Sequence, residues 1–139
     1  MLKNIPAILS PDAVKLLMEM GHGDTVLLAD ANYPAHTNNG RVVRADGHTI
    51  PDLLEAVLTL LPLDTVVDRP ASVMATGTDE TPAVWARFSE IVGSAGGPTE
   101  LEEIERFDFY EVASHAAGII QSGDTTLFGN ILLQKGTLQ

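Results

Sequence analysis

The sequence predicts an α/β layered domain in which a central sheet is flanked by helices. Three observations lead there. Amphipathic segments with helix-start signals alternate along the chain with short apolar runs. The run Thr25-Val26-Leu27-Leu28-Ala29 shows no polar alternation, as a strand covered on both faces requires. The 139 residues contain no repeat, linker or low-complexity tract, so residues 1–139 read as one domain, long enough to bury a core.

The elements follow in order. Ser10-Pro11-Asp12 opens a helix, with Ser at the N-cap, Pro in the first position and an acid in the first turn. Val14, Leu16, Leu17 and Met20 form its apolar stripe, and Gly21 stops it. The strand over 25–29 ends at Asp30. Residues 32–41 hold Pro34, two asparagines and Gly40 and read as a loop, and Arg41-Val42-Val43-Arg44 as a short strand. Thr49-Ile50-Pro51-Asp52 is a capping-box variant that opens a second helix. Leu53, Leu54, Val57, Leu58 and Leu61 line its buried side, and Pro62 ends it. A strand around Ser72-Val73-Met74-Ala75 precedes a third helix, opened by Thr81-Pro82 and carrying Trp85, Phe88 and Ile91 or Val92. Residues 93–98 read as a loop. Leu101 to Phe107 fits either strand or helix. Phe109 to Ala116 reads as a short helix, and Ala117-Gly118-Ile119-Ile120 and Asn130-Ile131-Leu132-Leu133 as strands separated by a turn at Ser122-Gly123-Asp124.

Composition narrows the function. Hydrophobic residues make up 45% of the chain and charged ones 19%, which is globular rather than disordered. The formal net charge is −11 and no basic cluster occurs, which argues against nucleic-acid partners, because polyanion binding needs phosphate neutralisation by Lys and Arg. There is no cysteine, so disulfides, thiolate nucleophiles and thiolate metal sites are all excluded. The start Met1-Leu2-Lys3-Asn4-Ile5 lacks a long apolar core and a signal-cleavage pattern, and no apolar run approaches the roughly 18 residues of a membrane span. The expectation is a soluble, cytoplasmic protein with no membrane partner.

Chemistry concentrates in Gly21-His22-Gly23-Asp24 and Asp30. His22 has an imidazole suited to proton transfer near neutrality, and its flanking glycines let a ligand approach. The competing reading is a helix end whose histidine complements the helix dipole. Asp30 stands at the carboxyl end of a strand, where α/β folds gather ligands, and its carboxylate can accept two sugar hydroxyls; it is equally a loop-start Asp bonding its own backbone. Asp24 is either turn chemistry or a partner that orients His22. His22, Asp24, Asp30 and His36 are metal-ligating types but match no metal spacing, and His48 and His115 read as surface residues. No Gly-x-Ser-x-Gly is present, and Gly93-Ser94-Ala95-Gly96-Gly97 lacks the Lys and Ser/Thr of a phosphate loop. Asn130, after Phe128-Gly129, offers an acceptor and two donors to a polyhydroxylated ligand. Arg106 is a candidate bidentate donor. It lies among Glu102, Glu103 and Glu105, and surface pairing with them is the simpler reading.

In order, Leu2-Lys3, Ile8-Leu9-Ser10-Pro11, Glu19 to Asp24, Asp30-Ala31, Pro34-Ala35-His36 and Arg44-Ala45-Asp46-Gly47 resemble the L-fucose mutarotase / D-ribose pyranase family. The resemblance continues through Arg106-Phe107, Phe109-Tyr110-Glu111, Gly129-Asn130-Ile131-Leu132-Leu133 and Lys135-Gly136, and so covers nearly the whole chain. The last groups favour the fucose branch. The resemblance implies an isomerase that interconverts sugar anomers without cofactor or metal. It implies a homo-oligomer, commonly a decamer of two stacked pentameric rings, with each active site completed between neighbouring subunits. By position, His22 corresponds to the catalytic acid, Asp30 and Arg106 to sugar-binding residues, and Phe128-Gly129-Asn130 to the sugar-contacting tripeptide. That tripeptide usually begins with Tyr. Phe128 keeps a ring that can stack on a sugar but lacks the hydroxyl, which Tyr110 or a water would have to supply. A D-ribose pyranase and a non-catalytic, transport-associated sugar-binding module are the alternative readings.

Overall fold

The computed structural model describes residues 1–139 and shows six strands and five helices in one layered unit. The helices are α1 (Pro11–Glu19), α2 (Ala35–Asn38), α3 (Ile50–Leu58), α4 (Ala83–Ser94) and α5 (Arg106–Ser114). The strands are β1 (Thr25–Ala29), β2 (Val42–Ala45), β3 (Ala71–Met74), β4 (Glu102–Ile104), β5 (Gly118–Ser122) and β6 (Ile131–Gln134). They form one sheet in the order β2-β5-β1-β6-β3-β4. β2, β5 and β1 are mutually parallel, β6 is antiparallel to both β1 and β3, and β4 is parallel to β3. Five strands therefore share one direction and β6 alone opposes them. β5 and β6 are not a hairpin, because β1 lies between them.

The expected caps are present. The Ser10 hydroxyl accepts the Ala13 N–H at 3.1 Å, and the Thr49 hydroxyl accepts that of Asp52 at 3.3 Å. Alternate residues of β1 serve opposite layers. Val26 and Leu28 face a core built with α1, α3 and α4; Leu27 and Ala29 face a smaller one built with Tyr33, Ala35 and Phe109. All four are fully buried.

Several element boundaries differ from the sequence reading. The segment 32–41 contains the single-turn helix α2, whose Asn38 amide donates to the Tyr110 carbonyl at 2.9 Å. That anchoring is long-range and leaves no local signal. α4 continues through Gly93 to Ser94, where a loop is expected. A Cβ on Gly93 would lie 2.9 Å from Thr99 Cγ2, so this glycine serves close packing rather than helix termination. The ambiguous stretch divides into β4 and the start of α5. Glu105 caps α5 by accepting the N–H groups of Phe107 and Asp108 at 2.9 and 3.1 Å, which starts the helix at Arg106 rather than near Phe109.

Phe88 of α4 is fully buried in the larger core. Phe88→Ala should lower unfolding stability by about 3–5 kcal/mol, read from urea denaturation, through lost transfer energy and a residual cavity.

Candidate active site

The strand directions decide where chemistry is concentrated. The carboxyl ends of β1, β3 and β4 and the amino end of β6 meet at one edge of the sheet. An open cavity of about 460 Å³ lies there, a size suited to a small ligand. β1 contributes Asp30 and the following Tyr33, β3 contributes Met74, the start of α5 contributes Arg106 and Tyr110, and the approach to β6 contributes Phe128 and Asn130.

Asp30 is 4% exposed. Its Oδ1 accepts the Asn32 N–H at 2.9 Å, and its own N–H donates to Asn130 Oδ1 at 2.8 Å. Burial raises the Asp30 carboxyl above the ordinary carboxylate range, opposed by backbone N–H groups of Asn32, Tyr33 and Gly129. The Asn130 bond also fixes that amide's orientation, leaving its NH2 group as the donor for a ligand. Gln121 supports the turn after Asp30, donating from Nε2 to the carbonyls of Tyr33 and Asp30 at 2.8 and 3.3 Å.

Arg106 does not pair with its acidic neighbours. Glu105 is occupied in capping α5, and Glu102 lies 3.4 Å from Arg69. The Arg106 guanidinium instead sits 5.6 and 5.7 Å from the ring centroids of Phe107 and Tyr110, a cation–π arrangement at the rim of the cavity. Phe128 has φ +56°, a left-handed conformation uncommon outside glycine and indicative of a constrained turn. Its carbonyl accepts the Trp85 indole N–H at 3.1 Å. Gly129 is required by close approach, because a Cβ there would lie 2.9 Å from the Thr126 carbonyl oxygen. Of the two phenols in the cavity, Tyr33 donates to Asn38 Oδ1 at 2.8 Å, and its burial raises its pKa. Tyr110 is the phenol left to a ligand.

His22 lies elsewhere. It precedes β1 while Asp30 follows it, so the two stand at opposite ends of a strand some 16 Å long at about 3.3 Å per residue. Within one chain they do not share a cavity. Asp24 does not orient His22: its carboxylate accepts the Gly21 N–H at 2.7 Å and closes the turn. The partner of His22 is Asp64, with Nε2 3.2 Å from Oδ1. The Asp64 side chain is 3% exposed and that of His22 is 46% exposed. Asp64 also accepts the Val66 N–H at 3.0 Å and the Gln134 amide at 2.9 Å. The Val66 N–H, with His22 and Gln134, outweighs burial and holds the Asp64 carboxyl below the ordinary range. An ionised Asp64 can only accept, so Nε2 of His22 carries a proton and Nδ1 is free for exchange. Nothing local marks Asp64 in the sequence, since it meets His22 across 42 positions. Met74 is equally unmarked, because it reaches the cavity only through the β3 register. No three His, Asp or Glu side chains converge as metal ligands, and no helix is long and apolar enough to cross a membrane.

Residues 3–138 match the RbsD / FucU transport protein family. The chain is 47% identical over 146 residues to the Homo sapiens protein named fucose mutarotase, covering 99% of this chain and 94% of that one. It is 45% identical over 139 residues to the L-fucose mutarotase of Haemophilus influenzae, covering 98% and 96%. The crystal structure of a Streptococcus pneumoniae fucose mutarotase in complex with L-fucose superposes with a TM-score of 0.93 at 41% identity, over 99% of this chain and 100% of that one. Bacillus subtilis RbsD complexed with D-ribose gives a TM-score of 0.79 at 19% identity over 100% of both chains, a likeness of fold. With its six-stranded mixed sheet and full-length matches, the chain belongs to the RbsD / FucU family.

Proposed function

We propose that this chain is a mutarotase that interconverts the α and β anomers of L-fucose by acid–base opening and closure of the sugar ring. The observation that carries the reading is the convergence of Asp30, Arg106, Tyr110 and Asn130 on one cavity beside the apolar Phe128 and Met74. A monosaccharide is matched by that division, with hydroxyls for the polar groups and an apolar face for the ring of Phe128. Similarity to fucose mutarotases along the whole chain supports the fucose assignment over ribose.

Ring opening needs a base to take the anomeric hydroxyl proton and an acid to protonate the ring oxygen, with the roles reversed on closure. His22 is assigned the proton exchange through Nδ1, with Asp64 holding its tautomer. Asp30, Arg106 and Asn130 hold hydroxyls. Tyr110 supplies the phenol that Phe128 lacks. Because His22 is remote from Asp30 in its own chain, the site is completed by a neighbour. A neighbour's His22 edge meeting this chain's cavity is a head-to-tail contact, which closes into a ring when the rotation permits. The proposed assembly is a decamer of two pentameric rings, acting in the cytoplasm.

Saturation-transfer NMR on anomer exchange tests the reading. L-fucose exchange should accelerate well beyond that of D-ribose, and His22→Ala should remove about 10²–10⁴-fold of the catalysis. Unchanged exchange for every sugar would exclude a mutarotase, and full activity in His22→Ala would exclude the role of His22.

Asp30→Asn makes a second, opposed pair of predictions. Because the folded pKa of Asp30 is raised, its contribution to stability is greatest at acid pH and declines as pH rises through the carboxylate range. The neutral amide keeps an oxygen for the Asn32 N–H. At pH 7, Asp30→Asn should therefore unfold at the same or a higher temperature than wild type while losing anomer exchange. A lower melting temperature with activity intact would contradict this.

A further inference from the structure

The loop of residues 123–130 carries Phe128, Gly129 and Asn130, the part of the proposed sugar site that precedes β6, and one carboxylate inside it has no part in the chemistry above. We infer that Asp124 is the positioning residue that fixes this loop against Asp30, and so sets the geometry of the sugar site; the inference rests on the proposed function for the identity of the ligand. Asp124 is tied to three segments. Its Oδ2 accepts the N–H of Ile50, the first residue of α3, at 3.0 Å. Its Oδ1 accepts the Thr126 N–H at 2.9 Å. Its backbone carbonyl accepts the N–H of Ala31, the residue after Asp30, at 2.8 Å. Its own N–H is held by the Ser122 hydroxyl at 3.0 Å.

The position of Asp124 passes to the site through Thr126. The Thr126 carbonyl packs so close to Gly129 that no side chain fits there, and a Cβ on Gly129 would also come within 3.7 Å of Asp30 Cβ. Displacing Thr126 therefore displaces Gly129, flanked by Phe128 in its left-handed turn and by Asn130 on Asp30. The carboxylate also sits at the positive end of the α3 dipole. Burial would raise Asp124, but the N–H groups of Ile50 and Thr126 and the Thr126 hydroxyl outweigh it, so it stays anionic. That anion is one of the groups opposing ionisation of Asp30. The other ionisable groups sharing the cavity with Asp30 are Arg106, Glu105, Tyr33 and Tyr110.

Asp124→Asn tests the inference through two readouts, carboxyl ¹³C NMR titration of Asp30 and calorimetric binding of L-fucose. The variant places an amide NH2 against a backbone donor and removes the charge. Asp30 should titrate at lower pH than in wild type, and L-fucose should bind about tenfold more weakly, the scale of one lost charge-assisted hydrogen bond. Thr126→Val, at an exposed position, loosens the same carboxylate without removing it and should weaken binding with little change in Asp30 titration. It also decides the matter should Asp124→Asn not fold. Unchanged L-fucose affinity in the folded variants, with an unchanged Asp30 titration, would reduce Asp124 to a stabiliser of α3 and overturn the inference. Failure of wild type to bind L-fucose would instead contradict the proposed function, leaving the titration of Asp30 to judge Asp124.

Discussion

One buried hydrogen bond organises the site: the Asp30 N–H donates to the Asn130 side chain across 100 positions of sequence. It exists because β6 runs against the other five strands and delivers its amino end to the carboxyl end of β1. Had β6 followed the common direction, Asn130 would lie at the opposite edge with Asp64 and His22. The same bond stabilises the main chain at the end of β1 and orients the Asn130 amide, so folding and the shape of the cavity depend on one contact. Both partners are almost fully buried, where an unpaired polar group would cost about 1–3 kcal/mol.

Three buried or partly buried aspartates divide the electrostatic work. Asp64 and Asp124 are surrounded by N–H donors and held below the ordinary carboxylate range. Their contribution to stability is present at neutral pH and lost as pH falls through their lowered pKa values. Asp30 is shifted the other way by burial and opposes folding when ionised. A group that destabilises the fold yet lies in the cavity fits the trade of stability for function. The structural aspartates and the cavity-lining one thus separate by environment, although the residue type is the same.

Much of this was legible in the sequence. The helix caps at Ser10 and Thr49 and the unbroken apolar run of β1 act locally, and the structure follows them. The convergence of Asp30, Arg106, Phe128 and Asn130 was legible through the ordered resemblance along the chain. Their spacing alone did not require it, since each residue had an ordinary loop reading. What stayed hidden depends on sheet order and register. Nothing near Asp64 marks it as the partner of His22, and the turn reading of Asp24 prevailed because its carboxylate satisfies Gly21 first. The separation of His22 from Asp30 follows from β1 being extended, since a five-residue strand carries its two flanks to opposite edges.

That separation makes the central claim testable by mixing subunits. His22→Ala and Asp30→Asn variants, each inactive alone, would be unfolded together at equal concentration, refolded and assayed for L-fucose anomer exchange. If each site draws His22 from one subunit and Asp30 from its neighbour, random assembly restores about one quarter of wild-type activity. If both residues must come from the same chain, the mixture stays inactive, and the shared site is contradicted.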